Sequence, residues 1–295
     1  MVLGSMPVAG EQAGSQLQGS GRDGGRHRAF TLMGVVNVTP DSFSDGGEYF
    51  DPAAAVAHGL ELAAQGAGIL DVGGESTRPG ADPVEAEEEA RRVVPVIEAL
   101  VAAGATAQIS VDTMKASVAR RALAAGAHLV NDVTALRAAP ELAEIVGAAG
   151  ADLCLMHMRH MPGQPPQAAR YTDIVSEVKS FLEERLAFAV AHGVAEERVI
   201  LDPGFGGGSF GKSTAENLDL LRRLPELVAI GRPLLVGTSR KGFLGEITGR
   251  AVSERLAATI ASNVIAFTGG ASIFRVHDVA AHHDALQTTA ATLAG

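Results

Sequence analysis

The feature that most constrains this chain is a unit that recurs eight times from Ala29 onward: a short β-branched or Leu-rich run, a glycine-rich or polar turn, then an amphipathic helix. The strand-like runs are Phe30–Val38, Gly68–Val72, Gln108–Asp112, His128–Val133, Asp152–His157, Val199–Asp202, Pro233–Thr238 and Ser272–Val276. Helical stretches such as Val84–Ala103, Ala116–Ala125, Asp173–His192 and Ser253–Thr268 separate them. Gly66, Gly104, Gly126 and Gly193 close several helices, where left-handed caps are expected. Strands alternating with helices are parallel and joined by right-handed crossovers. Eight evenly spaced units, with no phosphate fingerprint after the first strand, predict a closed TIM (β/α)8 barrel of α/β class over residues 29–295, rather than an open doubly wound sheet. A single domain is expected.

Barrel strands bury both faces, so the core must be apolar. Hydrophobic residues make up 46% of the chain while aromatics are only 4% and Trp is absent, so that core is aliphatic. The net charge of -10, with no Lys/Arg block, excludes a general nucleic-acid binder, yet a few local cations still suffice to hold an anionic substrate. The single cysteine, Cys154, lies in the apolar run Ala151–Met156 and reads as a buried, inert thiol. No apolar run approaches the length of a membrane span. Residues 1–28 are rich in Gly, Ser, Gln and Arg, lack the apolar segment of a secretory signal, and read as a disordered leader whose first residues are open to being a tag. The expected setting is cytoplasmic.

The informative residues stand at the strand ends. The first strand ends in Asn37-Val-Thr-Pro-Asp41-Ser-Phe43-Ser-Asp-Gly-Gly47 and the second in Gly73-Gly-Glu-Ser-Thr77-Arg78-Pro79-Gly80. The third to eighth deliver Asp112-Thr113, Asn131-Asp132, Met156-His157, Asp202-Pro-Gly204, Ser239-Arg240-Lys241 and Arg275-Val276-His277. Taken singly each has a bland alternative: Asp112 as a helix cap, Asn131-Asp132 as a turn, His157 as a satisfied histidine at the core edge, Arg240 as a salt-bridged cation. Together they place a carboxylate, amide or cation on the one rim where such barrels carry out chemistry. Asp112, Asn131 and Asp202 suit a neutral heterocycle with several N–H donors, because buried carboxylates are costly without donors. Lys241 would contact a ring carbonyl or nitrogen and offset their charge. Arg275 and His277 alternate in a strand and so share a side; with Arg78 they would bind a phosphate or pyrophosphate. Asn37 and Asp41 offer hard oxygens for Mg²⁺ on such a group. The two long glycine-rich loops read as mobile lids.

This ordered set, running from Phe30 to the C-terminus, resembles the dihydropteroate synthase family, folate-pathway enzymes inhibited by sulfonamides. The resemblance implies a transferase that condenses 7,8-dihydropterin-6-ylmethyl diphosphate with p-aminobenzoate, giving 7,8-dihydropteroate and pyrophosphate by an SN1-like path with Mg²⁺ as cofactor. It implies that Asp112, Asn131, Asp202 and Lys241 hold the pterin, with Val133, Met156 and Gly237 lining its pocket. Asn37, Arg275 and His277 would bind the pyrophosphate, and Asn37 its Mg²⁺ as well. Phe43, Thr77, Pro79, Phe210, Ser239 and Lys241 would surround p-aminobenzoate. Asp41, Asp112, Asp202 and Lys241 form the implied catalytic set. A homodimer through barrel helices away from the rim is implied too.

One segment departs from the family pattern. After strand six the family reads Asp-Pro-Gly-x-Gly-Phe-Gly/Ala-Lys, whereas this chain carries three extra residues, Gly207–Ser209, between Gly206 and Phe210. They are either a tolerated loop insertion, since loop length costs little entropy, or a displacement of Phe210 and Lys212 that alters sulfonamide affinity. Two other functions stay open at this point. A methyltetrahydrofolate–corrinoid methyltransferase shares the barrel and a pterin pocket but does not need the pyrophosphate-binding loops. A non-catalytic pterin-binding paralogue would be marked by loss of loop or anion-site residues.

Overall fold

A computed structural model describes residues 29–39, 52–75, 83–161 and 171–294. The expected leader and five candidate site residues (Asp41, Phe43, Thr77, Arg78 and Pro79) lie outside the described residues. Eight strands follow one another: β1 (Thr31–Asn37), β2 (Ile69–Gly73), β3 (Gln108–Asp112), β4 (Leu129–Asp132), β5 (Asp152–Met156), β6 (Val199–Asp202), β7 (Leu235–Val236) and β8 (Ile273–Val276). Between and after them come α1 (Pro52–Ala64), α2 (Ala86–Ala102), α3 (Ala116–Ala124), α4 (Leu142–Ala149) and α5 (Ile174–Ala191). The later helices are α6 (Thr214–Arg222), α7 (Leu224–Val228), α8 (Gly242–Thr248), α9 (Leu256–Gly269) and α10 (Val279–Leu293). Every pairing is parallel, in the order β6-β5-β4-β3-β2-β1-β8-β7. Leu201 of β6 bridges Leu234 ahead of β7, which brings the two edges together as the expected barrel requires.

That last seam is thin. The run Pro233–Thr238 yields only Leu235–Val236 as strand, because Pro233 has no N–H to give the ladder and Gly237 has no side chain to pack. The short helices α7 and α8 were not foreseen, and α9 begins at Leu256 because Val252–Glu254 forms its own 3-10 turn. The four glycine caps do adopt left-handed backbone, with φ of +102°, +69°, +107° and +96° at Gly66, Gly104, Gly126 and Gly193. No helix among the described residues is long and apolar enough to cross a membrane.

Strand alternation divides the side chains into two sets. Outward residues such as Leu32, Leu70, Val111, Val130, Leu155, Leu201 and Phe274 pack against the helices. Met33, Ile69, Leu129, Cys154, Ile200, Leu235 and Ile273 form a separate apolar layer inside the ring. Burial in that layer pushes the Cys154 thiol well above its ordinary pKa, as befits an inert cysteine. Two residues further along, the same inward phase delivers Asp71, Asn131, Met156, Asp202, Gly237 and Arg275. The apolar layer is thus the floor of a polar cup at the C-terminal ends of the strands.

Candidate active site

Asp71 is the centre of the cup, and sequence reasoning passed over it as one polar residue in an apolar run. It is fully buried, and its Oδ1 accepts the Ser110 hydroxyl at 2.6 Å. Its Oδ2 accepts Arg275 Nε at 2.7 Å and Asn131 Nδ2 at 3.1 Å. Arg275 also donates Nη2 to Asp112 Oδ2 at 2.9 Å, so one guanidinium on β8 bridges carboxylates on β2 and β3. The signal that could have found Asp71 was its phase: it follows inward Ile69 by two, and a carboxylate buried there demands a cation. Asp112 is no helix cap; Lys115 stands at the α3 N-cap. Asp132 does form the turn expected of it, its carboxylate accepting from the Thr134 and Leu136 amides at 2.8 and 2.6 Å.

The cup's charges perturb one another. Burial, reinforced by Asp71, raises the Asp112 carboxyl to about 7, while Arg275 opposes. Asp202 rises to about 6, again mainly by burial, against the Gly204 amide that donates to its Oδ1 at 2.7 Å and the charge of Lys241. Lys241 falls to about 8 because burial and Arg275 disfavour its charge more than Asp202 and Asp112 favour it. For Arg275 burial works against the charge, but Asp71 and Asp112 outweigh it and hold its pKa above the ordinary arginine value. With its amide nitrogen given to Asp71, Asn131 keeps its carbonyl oxygen as an acceptor. The cup therefore offers acceptors at Asp112, Asn131 and Asp202 and a donor at Lys241, which suits a flat ring bearing both N–H groups and acceptors.

The rim is organised separately. Arg275 and His277 do not share a partner: His277 Nδ1 lies 2.9 Å from Ser239 Oγ, which also accepts the His277 amide at 3.3 Å. Ser239 thus holds His277 at both its backbone and its ring. Burial, with Arg275 and Arg240 adding, pushes His277 down to about 4, so it is neutral at pH 7. Arg240 is the salt-bridged cation expected, 2.7 Å from Asp278, but its backbone is left-handed at φ +58°. Its N–H donates to Thr259 Oγ1 and its carbonyl accepts from Arg255, which holds a conformation costing roughly 1–3 kcal/mol. The turn there sets Lys241 at the start of α8, where Gly242 beside it meets nothing within 4 Å. Gly237 likewise keeps space open, since a Cβ there would meet only Arg275, at 3.9 Å. Asn37 ends β1 half-buried in register with Gly73, itself in register with Asp112.

Two loops complete the site. Val133, Met156, Met158 and Phe210 form one apolar wall, and Lys241 Nζ sits 3.8 Å above the Phe210 ring. Phe210, expected around the outer pocket, thus also touches the residues expected to line the inner one. Gly207 and Gly208 are exposed while Phe210 and Lys212 return to the interior, an arrangement that supports a tolerated insertion. At the base of the β2 loop, Lys115 Nζ pairs with Glu75 at 2.6 Å and with buried Glu89, and donates to Val84 O at 2.7 Å. Glu75 in turn accepts the Val84 amide at 3.0 Å, so both flanks of residues 76–82 are tied to one lysine.

Comparison with known proteins agrees with this geometry. Residues 33–277 match the family described as pterin binding enzyme. The dihydropteroate synthase of Escherichia coli (strain K12) is 45% identical over 262 residues, covering 89% of this chain and 91% of that one. The Xanthomonas albilineans dihydropteroate synthase solved with 4-aminobenzoic acid is 51% identical with a TM-score of 0.83, covering 90% of this chain and 94% of that one. The same organism's enzyme in complex with 7,8-dihydropteroate is 48% identical with a TM-score of 0.81, covering 90% of this chain and 95% of that one. With the barrel, the strand-end residues and these likenesses in agreement, the chain belongs to the dihydropteroate synthase family of pterin-binding enzymes.

Proposed function

We propose that the cup receives the pterin ring of 7,8-dihydropterin-6-ylmethyl diphosphate, that the rim holds its diphosphate, and that p-aminobenzoate enters between Phe210 and Ser239. As a member of its family the chain is a transferase of folate biosynthesis, and its product is 7,8-dihydropteroate. The observation that carries the residue assignments is the Asp71–Arg275–Asp112 bridge beside Asn131, Asp202 and Lys241, one layer above an apolar floor. Ring N–H groups would replace Arg275 on Asp112, while Asp71 keeps hold of the guanidinium. Arg275, still tethered, would then face the diphosphate together with His277 and, in the same reading, Arg78.

An aryl amine is already nucleophilic, so no strong base is required. The barrier lies in breaking the bond from the pterin methylene carbon to the pyrophosphate oxygen. The pterin delocalises positive charge left at that carbon, and Asp202 and Asp112 stabilise it electrostatically. The amine nitrogen then bonds to the methylene and loses its proton to solvent. Phe43, Thr77 and Pro79, with Asp41, are the residues assigned to the lids over this step.

Asn37 follows Met33 by four and so points inward, presenting one hard amide oxygen at the strand end. Mg²⁺ takes hard oxygen ligands and is commonly held by one or two carboxylates plus substrate phosphates, so the Asn37 amide oxygen would hold it together with the diphosphate and, in the same reading, Asp41. An ion held there with the diphosphate would supply counter-charge to the departing pyrophosphate. A cytoplasmic homodimer is the corresponding proposal for the assembly. Sedimentation of the purified protein checks it.

The deciding assay is pyrophosphate release from purified protein. Release must depend on both p-aminobenzoate and the pterin diphosphate; release with the diphosphate alone, or none with both, would sink the proposal. Asp202→Asn or Lys241→Ala with near-wild-type turnover would overturn the residue roles. No observation favours the corrinoid methyltransferase or the non-catalytic reading.

A further inference from the structure

Among the described residues, Lys212 is a buried lysine near the cup to which the reaction assigns no task, and burial pushes its pKa down to about 7. It is 4% exposed, and its amine is bonded within the protein. Nζ donates to Gly204 O at 2.7 Å, to His157 Nδ1 at 3.0 Å and to Phe210 O at 3.3 Å. Three donors thus join the start of the loop after β6, its far end, and the loop after β5. His157 is committed to this role from the other side. Its Nδ1 accepts, so the neutral ring carries its proton on Nε2, and the ring packs edge-on against Phe181 at 4.8 Å.

The loop that Lys212 ties down is anchored by buried Phe205 and Phe210, but the backbone between them is rich in glycine. Gly204, Gly206, Gly208 and Gly211 all take positive φ, at +68°, +134°, +59° and +72°. Such a glycine-rich segment carries large conformational entropy, and the Gly207–Ser209 insertion lengthens it. Besides its own turns and the burial of Phe205 in the core, the loop before the insertion is held by the Gly206 amide on Asn217 Oδ1 at 2.7 Å and the Gly204 amide on Asp202. Both bonds lie before the insertion. After the insertion, Lys212 grips the carbonyl of Phe210, whose ring is the wall under Lys241, alongside the packing of that ring on Met156 and Met158 and the Asn217 amide, which donates to the Lys212 carbonyl at 3.4 Å.

We propose that Lys212 is a positioning residue for the amine half-site: through the Gly204 and Phe210 carbonyls and His157 it holds the glycine loop so that the Phe210 ring stands against Lys241. The proposal rests on reading Phe210 as a wall of the p-aminobenzoate pocket, and the test separates the two. Lys212→Met keeps the chain length and removes the donors. In the folded variant the KM for p-aminobenzoate is expected to rise by about 10-fold or more, because small misplacement of a binding wall is amplified kinetically. Binding of the pterin diphosphate, titrated without amine, is expected to weaken by a smaller factor than the KM for p-aminobenzoate rises, since Lys212 reaches the cup only through Gly204 and its charge on Asp202. Backbone amide exchange over 204–211 accelerates by about 10-fold while the strands keep their protection. Phe210→Ala alone should raise the same KM, and adding Lys212→Met to it should add nothing further.

Should Lys212→Met not fold, Lys212→Gln and His157→Gln, each sparing part of the network, carry the same measurements with smaller shifts in the same direction. An unchanged KM and unchanged loop exchange in a folded Lys212 variant, with Phe210→Ala still impaired, would overturn the positioning role alone. An unimpaired Phe210→Ala would overturn the pocket wall and the proposal with it. Full additivity in the double variant would assign Lys212 an effect that does not pass through Phe210, and would also defeat it.

Discussion

At the scale of single residues, the cup depends on where charge is buried. Asp71→Asn keeps the shape and an acceptor for Ser110 but takes the principal counter-charge from Arg275. Breaking a buried pair leaves an uncompensated ion, and with Arg275 partly exposed the expected loss is about 2–4 kcal/mol, read from the urea midpoint. Asp202→Asn is expected to lower kcat by roughly 100-fold or more, as loss of preorganised charge at a developing cation does. The pH profile follows from the same groups. Asp202 ionises at about 6 and Asp112 at about 7, so kcat/KM for the pterin diphosphate rises through that window. Above about 8 Lys241 loses its proton and the profile falls. A flat profile from pH 5 to 9 would contradict these assignments. Of these residues, Asp112, Asn131, Asp202 and Lys241 were legible because they stand at strand ends with polar neighbours; Asp71 was not, because only the partner on β8 explains it.

At the scale of elements, the loop after β6 is the place where this chain departs from its family. Gly204 cannot be replaced cheaply: its φ is +68°, and a Cβ there would lie 1.8 Å from the His157 carbonyl oxygen. Gly204→Ala should cost roughly 2–4 kcal/mol and open the loop, as thermal unfolding and amide exchange would report. The insertion is the contrasting case. Gly207 and Gly208 are exposed, so deleting Gly207–Ser209 should leave the ratio of sulfonamide inhibition constant to p-aminobenzoate KM unchanged. A shifted ratio would favour displacement of Phe210 instead. The element pattern itself was readable: every strand-like run contains a strand, and the glycine caps fall where helices end. What the pattern could not give was the shortness of β7 or the two extra helices α7 and α8, since packing rather than period decides them.

For the whole molecule, function and stability oppose each other at the cup. The folded state holds the Asp202 proton more tightly than the unfolded chain, whose carboxyl titrates near 3.8. Its contribution is therefore fully present below about 3.8, is lost as pH rises through about 6, and above that the buried charge is a net burden. That burden is roughly 1–3 kcal/mol at neutral pH. Asp202→Asn should accordingly melt higher than the parent at pH 7.5 while losing activity, and the difference should shrink near pH 4. An equal or lower Tm at pH 7.5 would show that Lys241 and the Gly204 amide fully offset the burial.

The sequence by itself determined the barrel and the rim on which the polar residues collect. It could do so because alternation and the β-α period are local properties, written in neighbouring residues. Only the tertiary structure decided who pairs with whom: that Arg275 turns inward to Asp71 and Asp112, that His277 turns to Ser239, and that Lys212 reaches back to His157 and Gly204. Those pairings join residues up to 204 positions apart, and they are chosen by the energy of buried charges once the ring has closed.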